Sequence, residues 1–274
     1  KQWVSTEKFD LLDMPGVLWK KFDSKTIASN LAFIGSIKDD ILDVEELAMN
    51  LLDEVRRRAP RALVLTGEGR FFCAGADIRE MAAMDGRELY DWALLGSRLN
   101  TNLEELLMPV LAAVNGMALG GGCEISMSCD IRICSENAMF GQPEAGLGIT
   151  PGFGGTQRLA RTVGVGMAKQ LIYTARNIKA DEAYRIGLVN AVYPQEELME
   201  QAKKMASTIA KNAPIAVRNC KKAINEGLDA DMDQAIVIEE KLFGDCFETE
   251  DQKYGMAFFL DKNKEKVKEP FKNC

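Results

Sequence analysis

Two glutamates, Glu124 and Glu144, stand in glycine-rich segments, GGGCEISMSCD (120–130) and GQPEAGLGITPGFGG (141–155). The chain contains no histidine. That removes Ser-His-Asp and Cys-His nucleophilic catalysis, histidine metal sites and any imidazole acid or base. Proton transfer must then fall to carboxylates, lysines, cysteines or tyrosines. A glycine triplet lets the backbone approach a ligand closely, and unpaired amides at a helix N-terminus attract negative charge. The segment FFCAGADI (71–78) repeats the arrangement of strand, small residues and helix start. Two such loops can aim two peptide N–H groups at one oxygen, the construction of an oxyanion hole, where each donor contributes about 3–4 kcal/mol. Each piece also has a plainer reading. A glycine triplet can be a tight turn, an acid in a helix's first turn a dipole partner, and a Glu after Pro a turn residue.

The elements that must hold these residues alternate. LDVEELAMNLLDEVRRR (42–58) has apolar positions every three to four residues, and Arg56, Arg57 and Arg58 read as its solvated end. RALVLTG (61–67) is a buried strand closed by glycine, and ADIREMAAM (76–84) opens a helix on an acid. A helix over 89–108 stops at Pro109, and VLAAVNG (110–116) is a second strand. A helix over 121–129, a strand at 130–136, a strand or loop at 138–144 and a helix over 157–174 follow. ADEAYRIG (180–187) and a third strand, LVNAVYP (188–194), close that series. From Glu196 onward the pattern is helical: 196–212, 213–226, 231–244 and 249–264. Alternation followed by helices alone predicts an α/β core, residues 1–195, and a helical C-terminal region, 196–274. In residues 1–40 only GVLWKKFD (16–23) suggests a strand.

At 274 residues, 47% hydrophobic and 27% charged, the chain can bury a sizeable core. No apolar run approaches the length that spans a bilayer, and the first residues lack leader character, so the expectation is a cytoplasmic protein away from membranes. The net charge of −7 argues against nucleic acid as a partner. Seven scattered cysteines without CxxC pairs suit reduced thiols, Cys129 and Cys134 among them. No GxxxxGK[ST] phosphate loop is present, and GLGITPG and GVGMAK lack dinucleotide-fingerprint spacing.

Taken together, RALVLTGEGRFFCAGADIREM, PVLAAVNGMALGGGCEISMSCDIRI, FGQPEAGLGITPGFGGTQRLAR and LFGDCFETEDQKYGMAFFLDK resemble the enoyl-CoA hydratase (crotonase) family. The likeness is greatest to its bacterial short-chain branch, the 3-hydroxybutyryl-CoA dehydratases, and runs from about Arg61 to about Lys264. The resemblance implies a crotonase-like spiral of ββα repeats with a helical C-terminal region for trimerisation, trimers commonly pairing into hexamers. It implies reversible hydration of a short-chain trans-2-enoyl-CoA such as crotonyl-CoA to a (3S)-3-hydroxyacyl-CoA. By that resemblance the amides of Ala76 and Gly121 hold the thioester oxygen, Glu124 and Glu144 are the catalytic glutamates, and the amide of Gly152 contacts the reacting water. Ala74, Asp77 and Ile78 fall at the adenine pocket, and Phe243 and Lys262 at positions that hold coenzyme A, in part across subunits. Met81, Met84 and Leu95 fall where the acyl pocket is lined or are ordinary helix-core residues. The substrate is an acyl-CoA, with no metal and no separate cofactor.

The family's usual stretch before the first helix is replaced by FDSKTIASNLAFIGSIKDD (22–40), which leaves open how that part cradles coenzyme A. Local cations such as Arg79 and Lys262 must then supply any attraction for an anionic carrier. A CoA-ester isomerase or decarboxylase could share the loops, although such relatives typically lack one of the two glutamates. An RNA-binding homologue would need a basic surface. A non-catalytic scaffold predicts trimers that leave crotonyl-CoA unhydrated.

Overall fold

The structure, a computed structural model, describes residues 4–6, 9–11, 44–261 and 270–272. The strand expected in GVLWKKFD, the atypical 22–40 segment, Lys262 and Cys274 lie outside the described residues. Strands β1 (Val4–Thr6) and β2 (Phe9–Leu11) pair as a short antiparallel ribbon. Helix α1 (Val44–Arg58) precedes the core, and its terminal arginines are tied to Asp53 and Glu54 one turn back.

The core winds as a spiral in which successive strands go to two different sheets. The first turn is β3 (Leu63–Thr66) and β4 (Phe71–Cys73), then helices α2 (Ile78–Ala83) and α3 (Gly86–Glu104). The second is β5 (Val110–Val114), β6 (Met117–Leu119) and α4 (Gly121–Ser128). The third is β7 (Ile131–Ser135), β8 (Met139–Gly141), a 3-10 turn at Pro143–Leu147, α5 (Gly155–Val163) and α6 (Val165–Thr174). Then come β9 (Ile178–Lys179), α7 (Ala180–Arg185) and β10 (Ala191–Tyr193). One sheet has the order β10-β7-β5-β3, all parallel, and the other β4-β6-β8-β9, with only β9 antiparallel.

β5 sits inside the first sheet, and all five residues of VLAAV are buried. A parallel strand covered on both faces is apolar throughout rather than alternating. Asn115, at the corner between β5 and β6, is itself buried. It takes the Gly67 N–H and donates to the carbonyls of Gly69 and Phe71, which joins the corners of two successive turns.

Helix α8 (Leu198–Ala210) packs on the first sheet, with Leu198 and Ala202 against Ala113 and Ile133. Helices α9 (Pro214–Leu228) and α10 (Met232–Cys246) pack on each other, and α11 (Glu250–Leu260) follows. Lys221 anchors α9 to the core through Asp130 Oδ2 at 2.9 Å and the Met108 carbonyl. No described helix is long and apolar enough to cross a membrane.

The register of the second sheet decides what comes together. Cys73 pairs with Ala118, and Leu119 with Gly141. The loop after β4, the glycines after β6 and the turn after β8 therefore emerge side by side, at the carboxyl ends of parallel strands. That is where open α/β sheets bind ligands.

Candidate active site

Gly120 adopts φ 52°, a left-handed conformation that costs glycine little, and α4 begins at the next residue without a side-chain cap. Gly122 lies so close to the Cys73 carbonyl oxygen that any side chain would overlap it. The close approach brings the Ala74–Ala76 loop against the start of α4. A Cβ built on Gly75 would stand 3.7 Å from the Gly121 nitrogen, and one on Gly121 would stand 3.9 Å from the Ala76 nitrogen. The amides of Ala76 and Gly121 are thus neighbours, contributed by two different turns of the spiral.

Glu124 is in the first turn of α4 and only 1% exposed. Its Oε1 accepts the N–H of Phe153 at 2.9 Å and of Gly155 at 2.6 Å. Gly155 is the first residue of α5, so the carboxylate sits at that helix's positive end. Burial raises the Glu124 pKa, and the two amides together with the Arg158 charge pull it back. Arg158 is itself held by Glu104 in a two-pronged pair at 2.6 and 2.7 Å.

Glu144 lies in the 3-10 turn and is 9% exposed. Its Oε1 approaches to 2.7 Å the place a Gly120 side chain would occupy, while its Oε2 is buried without a hydrogen-bond partner. Burial raises its pKa to about 7, and the charge of Glu124 adds to the rise. A carboxyl that titrates near neutrality can hold or release a proton at little cost. The buried Gln142, two residues before Glu144, donates from Nε2 to the Gly120 carbonyl at 3.3 Å, and its Oε1 also lacks a partner.

The structure therefore brings together Ala76, Gly121, Glu124 and Glu144. Gly152 is exposed, on the loop residue just before Phe153. Ala74 and Asp77 are exposed on the β4–α2 loop and Ile78 is exposed as the first residue of α2, which Asp77 caps by accepting from the Arg79 N–H. Met81, Met84 and Leu95 are half-buried. Phe243 is exposed on α10 with its ring against Phe247. The amides of Phe153 and Gly155 are functional groups that sequence reasoning misses.

The family model for enoyl-CoA hydratase/isomerase matches residues 39–270. The short-chain-enoyl-CoA hydratase of Clostridium acetobutylicum is 61% identical over 204 residues, 74% of this chain and 78% of that protein. The crotonyl-CoA hydratase of Syntrophomonas wolfei is 52% identical over 83% of this chain and 86% of its own. Among solved structures, an enoyl-CoA hydratase from Bacillus anthracis superposes with a TM-score of 0.79 at 42% identity, covering 84% of this chain and 88% of that one.

Proposed function

The chain belongs to the enoyl-CoA hydratase/isomerase family, and from that membership and the site geometry we propose that it is a hydro-lyase acting on short-chain trans-2-enoyl-CoA. Its reaction is the reversible hydration of crotonyl-CoA to a (3S)-3-hydroxyacyl-CoA. The observation that carries the reading is the pair of adjacent amides, Ala76 and Gly121, with one buried carboxyl held by amides and, beside them, another with one oxygen left unpaired.

In the hydration direction the thioester oxygen lies between the amides of Ala76 and Gly121. Glu124, ionised and pinned by two donors, takes a proton from water as the water oxygen bonds to C3. The C2–C3 π pair shifts to form the C1–C2 double bond as the carbonyl π pair moves onto the thioester oxygen, giving an enolate that the two amides stabilise. Glu144 then gives its proton to C2. The pair ends with its proton on Glu124 and is restored by exchange with solvent. Gly152, exposed on the same loop, offers its amide to the reacting water. The sequence moves only water and protons, so it requires no metal and no redox cofactor, and coenzyme A is part of the substrate.

Ala74, Asp77 and Ile78 line the adenine end, while Phe243 and Lys262 help hold coenzyme A across a subunit boundary. Leu228, Met232, Phe243, Phe259 and Leu260 are large apolar side chains exposed on the C-terminal helices. A surface of that kind supports a trimer, or two trimers paired as a hexamer. The unpaired buried thiols Cys123, Cys129 and Cys134 suit a reducing setting such as the cytoplasm.

The test follows the loss of absorbance of the conjugated thioester of crotonyl-CoA. Glu124→Gln and Glu144→Gln should each lower kcat at least about a hundredfold. Equal rates in the wild type and both variants would reject the assignment.

A further inference from the structure

The loop that pins Glu124 also carries an aromatic ring that the hydration chemistry does not use. Both main-chain groups of Phe153 are fixed: its N–H is on Glu124 Oε1, and its carbonyl accepts from Asn100 Nδ2 at 3.0 Å and Arg158 Nη1 at 2.8 Å. With the backbone held at both ends, the ring is directed toward α3. There it lies 5.1 Å from the Trp92 ring, centroid to centroid, at 52°. On the α3 side, a Cβ on Gly96 would stand 2.5 to 2.8 Å from three of its ring carbons. On its other side, two ring carbons come within 3.2 and 3.3 Å of the place where a Gly121 side chain would begin.

Glycine inside a 19-residue helix is unfavourable, and the ring of Phe153 is what any larger residue at 96 would strike first. The ring therefore fills the gap between α3 and the residue whose amide holds the thioester oxygen.

We propose that Phe153, backed by Gly96 and Trp92, is the end wall of the acyl pocket and limits the substrate to about four acyl carbons. The inference rests on the hydratase reading above and adds to it the chain-length limit. The carbonyl oxygen is fixed at Gly121, and C2 and C3 lie beside Glu124, whose oxygen is bonded to the Phe153 amide. A crotonyl chain ends about 4 Å past its carbonyl carbon, at the usual bond lengths. Atoms added beyond C4 enter space that the ring occupies, and a close-packed interior does not yield that space freely.

The experiment measures kcat/KM for trans-2-enoyl-CoA substrates of four, six and eight carbons in the full-length protein and its variants. Phe153→Ala keeps the backbone N–H that binds Glu124 and removes only the ring. The eight-carbon to four-carbon ratio should rise at least about tenfold, since each methylene newly buried is a factor of about four. Phe153→Leu, the safer variant for folding, should move the same ratio in the same direction by less. Gly96→Ala drives the ring toward Gly121 and should lower kcat/KM for crotonyl-CoA at least about fivefold. That loss should vanish when Gly96→Ala is combined with Phe153→Ala. A parallel fall for all three lengths in the Phe153 variants, or a Gly96→Ala effect that persists without the ring, would overturn the proposal. So would a wild type that hydrates the eight-carbon substrate as well as the four-carbon one. A wild type inert toward every enoyl-CoA would instead remove the hydratase reading and this inference with it.

Discussion

Glu124 and Glu144 are the same side chain in two different settings. Glu124 ends at the start of α5, where the N–H groups of Phe153 and Gly155 meet one of its oxygens. Glu144 leaves a 3-10 turn and keeps one oxygen buried with no donor at all. Both would ionise near 4.5 in water, and burial raises both. The amides of two other residues and Arg158 pull Glu124 back, whereas only its own backbone N–H relieves Glu144, which reaches about 7. The comparison shows how a chain without histidine can set two carboxyls of one residue type at different pKa values, by the donors and charge around each, the difference our proposed acid and base require.

The largest effect that could break this contrast is isotopic. If Glu144 serves C2, Glu144→Gln should slow solvent-deuterium exchange at C2 of butanoyl-CoA by at least about a hundredfold, and Glu124→Gln should slow it far less. Proton NMR of the C2 signal measures both, and equal losses would make the two carboxyls interchangeable.

Stability sharpens the contrast next. Between pH 4.5 and about 7 folded Glu144 keeps a proton that the unfolded chain has lost, so stability falls as pH rises through that window and is level above it. Glu144→Gln removes that penalty. It should therefore stabilise the fold by about 3 kcal/mol at pH 7 and above, and by nothing below pH 4.5. Glu124→Gln should gain less, because two amides already offset part of its burial. Urea unfolding at pH 4.5 and 7.5 reads both.

A smaller effect lies in the pH profile. Hydration needs Glu144 protonated, so its kcat/KM should fall about tenfold per pH unit above about 7. Dehydration uses the same singly protonated pair with its proton on Glu124, and hydration takes up no net proton, so kcat/KM for dehydration should fall over the same range. The smallest change comes from Arg158→Met, which removes a charge that favours ionised Glu124. Hydration should drop only severalfold, with its acid limb moved to higher pH.

Parts of this arrangement are legible in the residues alone. VLAAV reads as a strand covered on both faces, and the missing histidine singles out the two glutamates once glycine loops stand beside them. β6 escapes notice because three residues between two glycines carry no period. The helix expected over 157–174 is two helices, since Gly164 takes φ 84° while the apolar spacing runs on across it. The donors on Glu124 are illegible for a deeper reason. Nearly every residue has an N–H, and which of them converge depends on how Leu119 meets Gly141 across the sheet. Phe153 is hidden likewise: in GITPGFGG the glycines draw the eye, and only the facing Gly96 reveals where its ring must go.

That the donors we propose for the acyl oxygen, at 76 and 121, are peptide groups has a bearing on how activity can be lost by chance mutation. A codon change can delete a carboxyl but cannot delete an amide hydrogen, except by introducing proline. Inactivating substitutions outside positions 124 and 144 should therefore gather beneath the strand ends, at Asn115 and Gly122, where the spacing between neighbouring loops is set. Such variants would keep both acids and still be silent, because what they lose is alignment.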